Sequence, residues 1–177
     1  EDNNKLAKYV NSPETIFFKK GNNLYNLNKA RKISNKYNEV YLVEGYMDVI
    51  SLHNNHISNC VANLGTALTS KQILLLGQFF SEIIICFDGD ESGYKAALRA
   101  AENSLKFLQP EKQISFLFLP HGEDPDSFVK KKGKEQFLKY SDDNRIQIHK
   151  FIFNHYLNNS KKTPTELAMI EKKLKIL

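Results

Sequence analysis

The chain has 177 residues, is 41% hydrophobic and 25% charged, and carries a net charge of +5. That is enough for one ordinary domain with an addition. No apolar run approaches the ~20 residues of a membrane span, and no secretory signal opens the chain. The first residue is not Met, which reads as a piece cut from a longer protein. Charge is uneven: residues 1–39 hold eight Lys/Arg against four Asp/Glu, residues 40–143 ten against fourteen, and residues 144–177 seven against two. Basic flanks suit a polyanion and an acidic centre suits metal ions.

Residues 1–39 are polar, with "NSP" and "KKGNN" turn signals and no clear period. They read as the end of a preceding subdomain. "VYLVEG" (40–45) predicts a strand, and "YMDVISLHNNH" (46–56) a helix spaced through Met47, Ile50 and Val49. "CVANLG" (60–65) predicts a second strand. "TSKQILLLGQFF" (69–80) predicts a helix capped by Thr69 or Ser70. "IIICFD" (83–88) is the third strand and "SGYKAALRAAENSLKFL" (92–108) an Ala-rich helix. "ISFLFLP" (114–120) is the fourth strand. Strands alternating with helices imply right-handed crossovers and a parallel sheet covered on both faces.

After Pro120 the loop "HGEDPDSF" precedes short helical turns to about Tyr140. "RIQIHKFIFNHYL" (145–157) predicts an amphipathic helix with Ile148, Phe151, Ile152 and Tyr156 on one face. "TPTELAMIEKKLKIL" (163–177) opens a further helix with a capping box from Thr163 to Glu166. These two helices read as the start of a truncated helical subdomain. The expected organisation is 1–39, 40–143 and 144–177.

In open parallel sheets the functional site lies at the carboxyl ends of the strands. Three strands here run into acids: Glu44 after the first, Asp88 and Asp90 after the third, Asp124 and Asp126 after the fourth. Asp48 lies one helical turn beyond Glu44 and leans to the same edge. Gly45 and Gly89 let the chain turn sharply. Unpaired, these carboxylates would repel one another and raise each other's pKa. Hard oxygen ligands are what Mg²⁺ or Mn²⁺ takes, and two such ions serve phosphoryl transfer. Each motif alone has a bland reading as a turn or helix start. Their placement at successive strand ends favours metal chemistry.

Other site types are missing. There is no GxxxxGK[ST], no GxGxxG and no serine nucleophile elbow. Cys60 and Cys86 lie in apolar runs without metal-ligand spacing, so no zinc site is encoded and buried free thiols in a reducing compartment are expected. His53 and His56 read as surface or satisfied histidines, and His149 and His155, six apart, point differently.

At these residues the sequence resembles a Toprim domain, a family marked by a Glu at one strand end and a DxD at a later one. Glu44 and Asp88/Asp90 match. "VEGYMDVI", "VANLGTALT", "CFDGDESGYKAALRA" and "FLPHGEDPDSFVKKKGKEQF" are similar to the bacterial-type DNA primase family, as is "KYVNSPETIFFKKGNNLYNLNKA" upstream. The resemblance spans about residues 5–140. It implies an α/β Toprim (Rossmann-like) sheet of about four parallel strands with flanking helices. It also implies a nucleotidyltransferase, a DNA-directed RNA polymerase that copies single-stranded DNA into RNA primers for replication.

On that resemblance Asp48, Asp88, Asp90, Asp124 and Asp126 hold two or more Mg²⁺ or Mn²⁺ ions and the triphosphate. Glu44 is a ligand or general acid/base. Lys8, Asn11 and Lys20 match a basic ridge for template and nucleotide phosphates. Implied partners are single-stranded DNA, ribonucleoside triphosphates, an RNA–DNA hybrid, and the replicative helicase through a region outside this chain. The implied location is the bacterial cytoplasm at the replication fork. Lys95 and Arg99 counter the acids or face water, and water is favoured. Two departures stand out: Asn22 replaces an Arg often found after "KG", and His121 replaces an acid often found before "GEDPD". Rival readings are a topoisomerase or nuclease with the same fold, and a receiver-like phospho-switch.

Overall fold

The computed structural model describes residues 13–16, 19–63, 68–105, 111–158 and 163–174. Lys8 and Asn11 lie outside them. The sheet has five strands, β1 Glu39–Val43, β2 Cys60–Ala62, β3 Glu82–Phe87, β4 Gln113–Phe118 and β5 Ile146–Gln147, in the order β2-β1-β3-β4-β5. The first four pair in parallel, as expected. The fifth is an addition to the expected four: it is two residues long and antiparallel to β4. It occupies the start of the segment read as helix from Arg145, so that helix begins only at Ile148.

Seven helices accompany the strands among the described residues: α1 Leu27–Ala30, α2 Tyr46–Asn54, α3 Ser70–Gly77, α4 Glu91–Ser104, α5 Pro125–Asn144, α6 Ile148–Asn158 and α7 Pro164–Leu174. α5 replaces the expected short turns. It is two helical segments meeting at Gly133, whose φ of 77° breaks the run.

Strand residues alternate between two cores, as the period of two requires. Leu42, Ile83, Ile85, Phe87, Ile114 and Phe116 face α3, α4 and α6. Tyr41, Val43, Ile84, Cys86 and Leu117 face α2 and α5. Both cysteines are buried and free, and burial pushes the Cys60 thiol up to about 12. Leu24 and Ala30 from the first 39 residues join the first core, and so do Ile148, Phe151 and Ile152 of α6, with Tyr156 packed against it.

One helix meets its expected face only in part. In α2 the inward residues are Val49 and Leu52, while Met47 and Ile50 stand 37% and 38% exposed. The reason is crossover geometry: α2 must return from β1 to the neighbouring β2, and that fixes which face meets the sheet. Among the described residues no helix is long and apolar enough to cross a membrane.

Candidate active site

β1 connects through α2 to β2 on one side, and β2 returns across β1 through α3 to reach β3 on the other. The strand order therefore reverses between β1 and β3, where ligands of open α/β sheets bind. Glu44 follows β1 and Asp88 follows β3, so these two carboxylates flank that crevice.

Helix capping positions the next acids. Asp90 is the N-cap of α4 and its Oδ1 accepts the N–H of Gly93 at 2.7 Å. Asp124 is the N-cap of α5: its Oδ1 accepts from Ser127 N at 2.6 Å, and Asp124 N donates to Ser127 Oγ at 3.0 Å. Pro125 supplies the first residue of that helix. Both acids thus sit at positive helix ends. Asp48 is held at both oxygens, Oδ2 by Gly45 N at 3.1 Å and Oδ1 by Asp126 N at 3.3 Å. Gly45 has an ordinary φ of −105°; it is the Asp48 carboxylate, folded back to 2.9 Å from where a Cβ would stand, that needs the glycine.

The DxD turn and the β4–α5 loop are packed as one unit. A Cβ on Gly89 would lie 2.0 Å from the Leu119 carbonyl oxygen and 2.6 Å from the Pro120 carbonyl carbon. Leu119 N donates to Phe87 O at 3.1 Å. His121 donates from Nδ1 to the Gly89 carbonyl at 3.2 Å, the peptide between the two DxD carboxylates. In the sequence His121 stood out only as a departure from the family pattern. Its contact was not legible there, because 32 residues separate the two partners.

Electrostatics join the acids into a group centred on Asp88. Partial burial, then Asp124 and Asp90, push the Asp88 pKa up. Partial burial, then Asp88 and Asp90, push Glu44 up. Burial raises Asp48 to about 6, with Asp124 and Asp88 adding to it against two backbone hydrogen bonds. Glu44, Asp48, Asp88, Asp90 and Asp124 therefore act on one another. The carboxylate of Asp126 pairs with Lys130, 2.7 Å from Oδ1 and 2.8 Å from Oδ2, and its backbone N–H reaches Asp48.

Among the described residues no three acidic, histidine or cysteine side chains converge tightly enough to enclose an ion. An all-oxygen set of open, mutually repelling carboxylates nevertheless fits Mg²⁺ or Mn²⁺. Mg²⁺ usually takes one or two carboxylates and completes its shell with water and substrate phosphates.

Lys20 lies in the turn Lys20–Asn22, which is strapped to the start of α3. Thr69 Oγ1 donates to Gly21 O at 2.7 Å, and Gln72 Nε2 donates to Lys20 O at 3.2 Å and Asn23 O at 2.9 Å. Because α3 starts beyond the carboxyl end of β2, this turn belongs to the same edge of the sheet as the acids. Asn22 is in the turn and exposed. Lys95 pairs with Glu91 at 2.6 Å in solvent. Arg99 is exposed but borders a cavity that also reaches Glu44.

Comparison with known proteins agrees with this fold. Residues 38–118 match the Toprim domain model, and residues 1–31 match the N-terminal domain of the DNA primase catalytic core. The DNA primase of Rickettsia felis is 45% identical over 171 residues, 96% of this chain and 29% of that protein. That of Pseudomonas aeruginosa is 51% identical over 130 residues, 73% of this chain and 20% of that protein. The chain thus spans less than a third of these relatives. A crystal structure of a DNA primase domain from Pseudomonas aeruginosa superposes with a TM-score of 0.88 at 41% identity, covering 94% of this chain and 52% of that one. The structure of a DnaG primase catalytic domain bound to ssDNA gives 0.87 at 39%, covering 97% and 55%. With an acid-bearing switch point on a Toprim sheet and these relatives on both of its parts, the chain belongs to the DNA primase catalytic-core family.

Proposed function

We propose that this chain is part of a primase that copies single-stranded DNA into short RNA primers. The observation that carries this reading is the group of carboxylates from three strand ends, centred on Asp88 at the switch point. The relatives this chain resembles are named as DNA primases, one solved with ssDNA. When bound, Mg²⁺ or Mn²⁺ ions supply charge neutralisation at the attacking and leaving oxygens of phosphoryl transfer.

In this reading Asp88, Asp90 and Asp124 hold the ions, and Asp48 and Asp126 fix the α5 start against α2 so that Asp124 keeps its place. Glu44, at the end of β1 beside that group, receives the proton that the attacking 3′-hydroxyl loses as its oxygen bonds the α-phosphorus and pyrophosphate leaves. Lys20, with Lys8 and Asn11, meets template and nucleotide phosphates. The substrates are ribonucleoside triphosphates and the product leaves as an RNA–DNA hybrid. The place of work is the bacterial replication fork, beside the replicative helicase.

The test is incorporation of labelled ribonucleotides on single-stranded DNA with Mg²⁺ or Mn²⁺, run beside Glu44→Gln and Asp88→Asn. Incorporation that both variants lose supports the reading. Incorporation that survives Asp88→Asn removes the acids from the chemistry. Strand cleavage in the same gel favours a nuclease or topoisomerase.

A further inference from the structure

A surface cavity of about 330 Å³ opens beside Glu44, between α4 and the carboxyl halves of β1 and β3. Leu42, Ile85 and Phe87 contribute to its apolar wall, and Glu44, Ser92, Arg99 and Asn103 bring polar groups to it. Ser92 and Asn103 stand eleven helical steps apart on α4, about 16 Å at the helical rise. The cavity therefore runs from the acid edge along the helix, rather than ending at it.

Four of its polar groups share one property. Among the described residues, the side chains of Glu44, Ser92, Arg99 and Asn103 make no hydrogen bond or ion pair. Arg99 is the notable member, because acids outnumber bases in residues 40–143 and the neighbouring Lys95 does find a carboxylate in Glu91. An unpaired guanidinium is a planar fork of donors suited to phosphate oxygens. An apolar wall with a few convergent polar groups is the usual make-up of a small-molecule site.

We infer that this cavity is a nucleotide-phosphate subsite in which Arg99 is the phosphate contact, and Ser92 and Asn103 are supporting hydrogen-bond groups. The inference rests on the reading of the acid edge as a nucleotidyl-transfer centre, which the cavity extends along α4. The phosphate has two possible sources: a free ribonucleoside triphosphate, or the backbone of a nucleic-acid strand leading to the edge. Its recognition chemistry is the same in both.

The test is binding without turnover. Wild type, Arg99→Ala, Arg99→Lys and Lys95→Ala are titrated with a fluorescent ribonucleoside triphosphate in Mg²⁺. In a second arm they are titrated with fluorescent single-stranded DNA at fixed salt. Arg99→Ala is expected to weaken one arm about tenfold, as loss of a charge-assisted contact does. Arg99→Lys should lose less, and Lys95→Ala should stay within about twofold. Loss in the triphosphate arm assigns the free nucleotide, and loss in the DNA arm assigns the strand. Arg99 is exposed, so an unchanged melting temperature is expected and separates lost binding from lost folding. The inference is overturned if Arg99→Ala leaves both arms within twofold, or if Lys95→Ala weakens binding as much. Wild type that binds both probes yet incorporates no ribonucleotide counts against the primase reading and leaves this subsite standing.

Discussion

Asp126 donates its backbone N–H to Asp48 Oδ1 at 3.3 Å, while Gly45 N holds the other oxygen of Asp48 at 3.1 Å. One carboxylate therefore ties the turn after β1 to the start of α5, across 78 residues of sequence. Replacing Asp48 by Ala leaves two part-buried N–H groups without their acceptor. The expected cost is about 1–3 kcal/mol in denaturant unfolding, with loss of incorporation as Asp124 moves. Asp48→Asn should cost nearly as much, since an amide nitrogen cannot accept where both carboxylate oxygens do. Unfolding midpoints equal to wild type in both variants would show that the tie is not needed.

The raised pKa values give the pH dependence its sign. Folded Asp48 titrates at about 6, above the ~3.9 of an unfolded aspartate, and Glu44 and Asp88 are also raised. Between those values the folded state holds more protons than the unfolded one, so stability falls as pH rises. Without divalent ions the melting temperature should therefore rise on going from pH 7 to pH 5. Mg²⁺ or Mn²⁺ should flatten the trend, because a cation offsets the repulsion that the protons relieve. Asp88→Asn should melt above wild type at pH 7 without metal. A melting temperature that falls steadily on acidification would contradict all three.

Gly89 and His121 hold the DxD turn against the β4–α5 loop. Gly89→Ala puts a methyl 2.0 Å from a carbonyl oxygen, so one loop must shift. About 1–3 kcal/mol of stability should be lost, as in other overpacked sites, along with incorporation. His121→Ala removes the Nδ1 donor from an exposed side chain and should leave melting nearly unchanged. Its effect belongs in the Mn²⁺ concentration for half-maximal activity, expected to rise several-fold. His121→Asn, which keeps a donor, should recover most of it.

Gln72 is fully buried and joins the Lys20 turn to α3 through the Lys20 and Asn23 carbonyls, while its Oε1 accepts from Thr69 N at 3.0 Å. Gln72→Ala breaks three hydrogen bonds at once. Unfolding should cost about 2–3 kcal/mol less. The affinity for single-stranded DNA should fall with it if Lys20 meets phosphate from this turn. An unaltered DNA affinity in the folded variant would remove Lys20 from the interface.

The sequence by itself determined the parallel sheet, both covering layers and the acids at strand ends. Each is a local property: continuous apolar runs such as Ile83–Phe87, capping residues such as Thr69 and Asp124, and the spacing of Glu44 and Asp88 from the strands before them. Its edges were less legible. Ile146 and Gln147 form a strand only because β4 has an open edge beside them, and two residues carry no periodic signal. Val49 and Leu52, rather than Met47 and Ile50, face inward because of the crossover, which the helix pattern alone does not encode. The contacts that arrange the site were decided by tertiary structure: Asp48 with Asp126, His121 with Gly89, and Gln72 with Lys20. They join residues 32 to 78 positions apart, and such distances close only when the whole sheet has formed. Residue type set which chemistry is available at this edge; packing set how the acids are held there, with Asp126 paired to Lys130 and tied to Asp48.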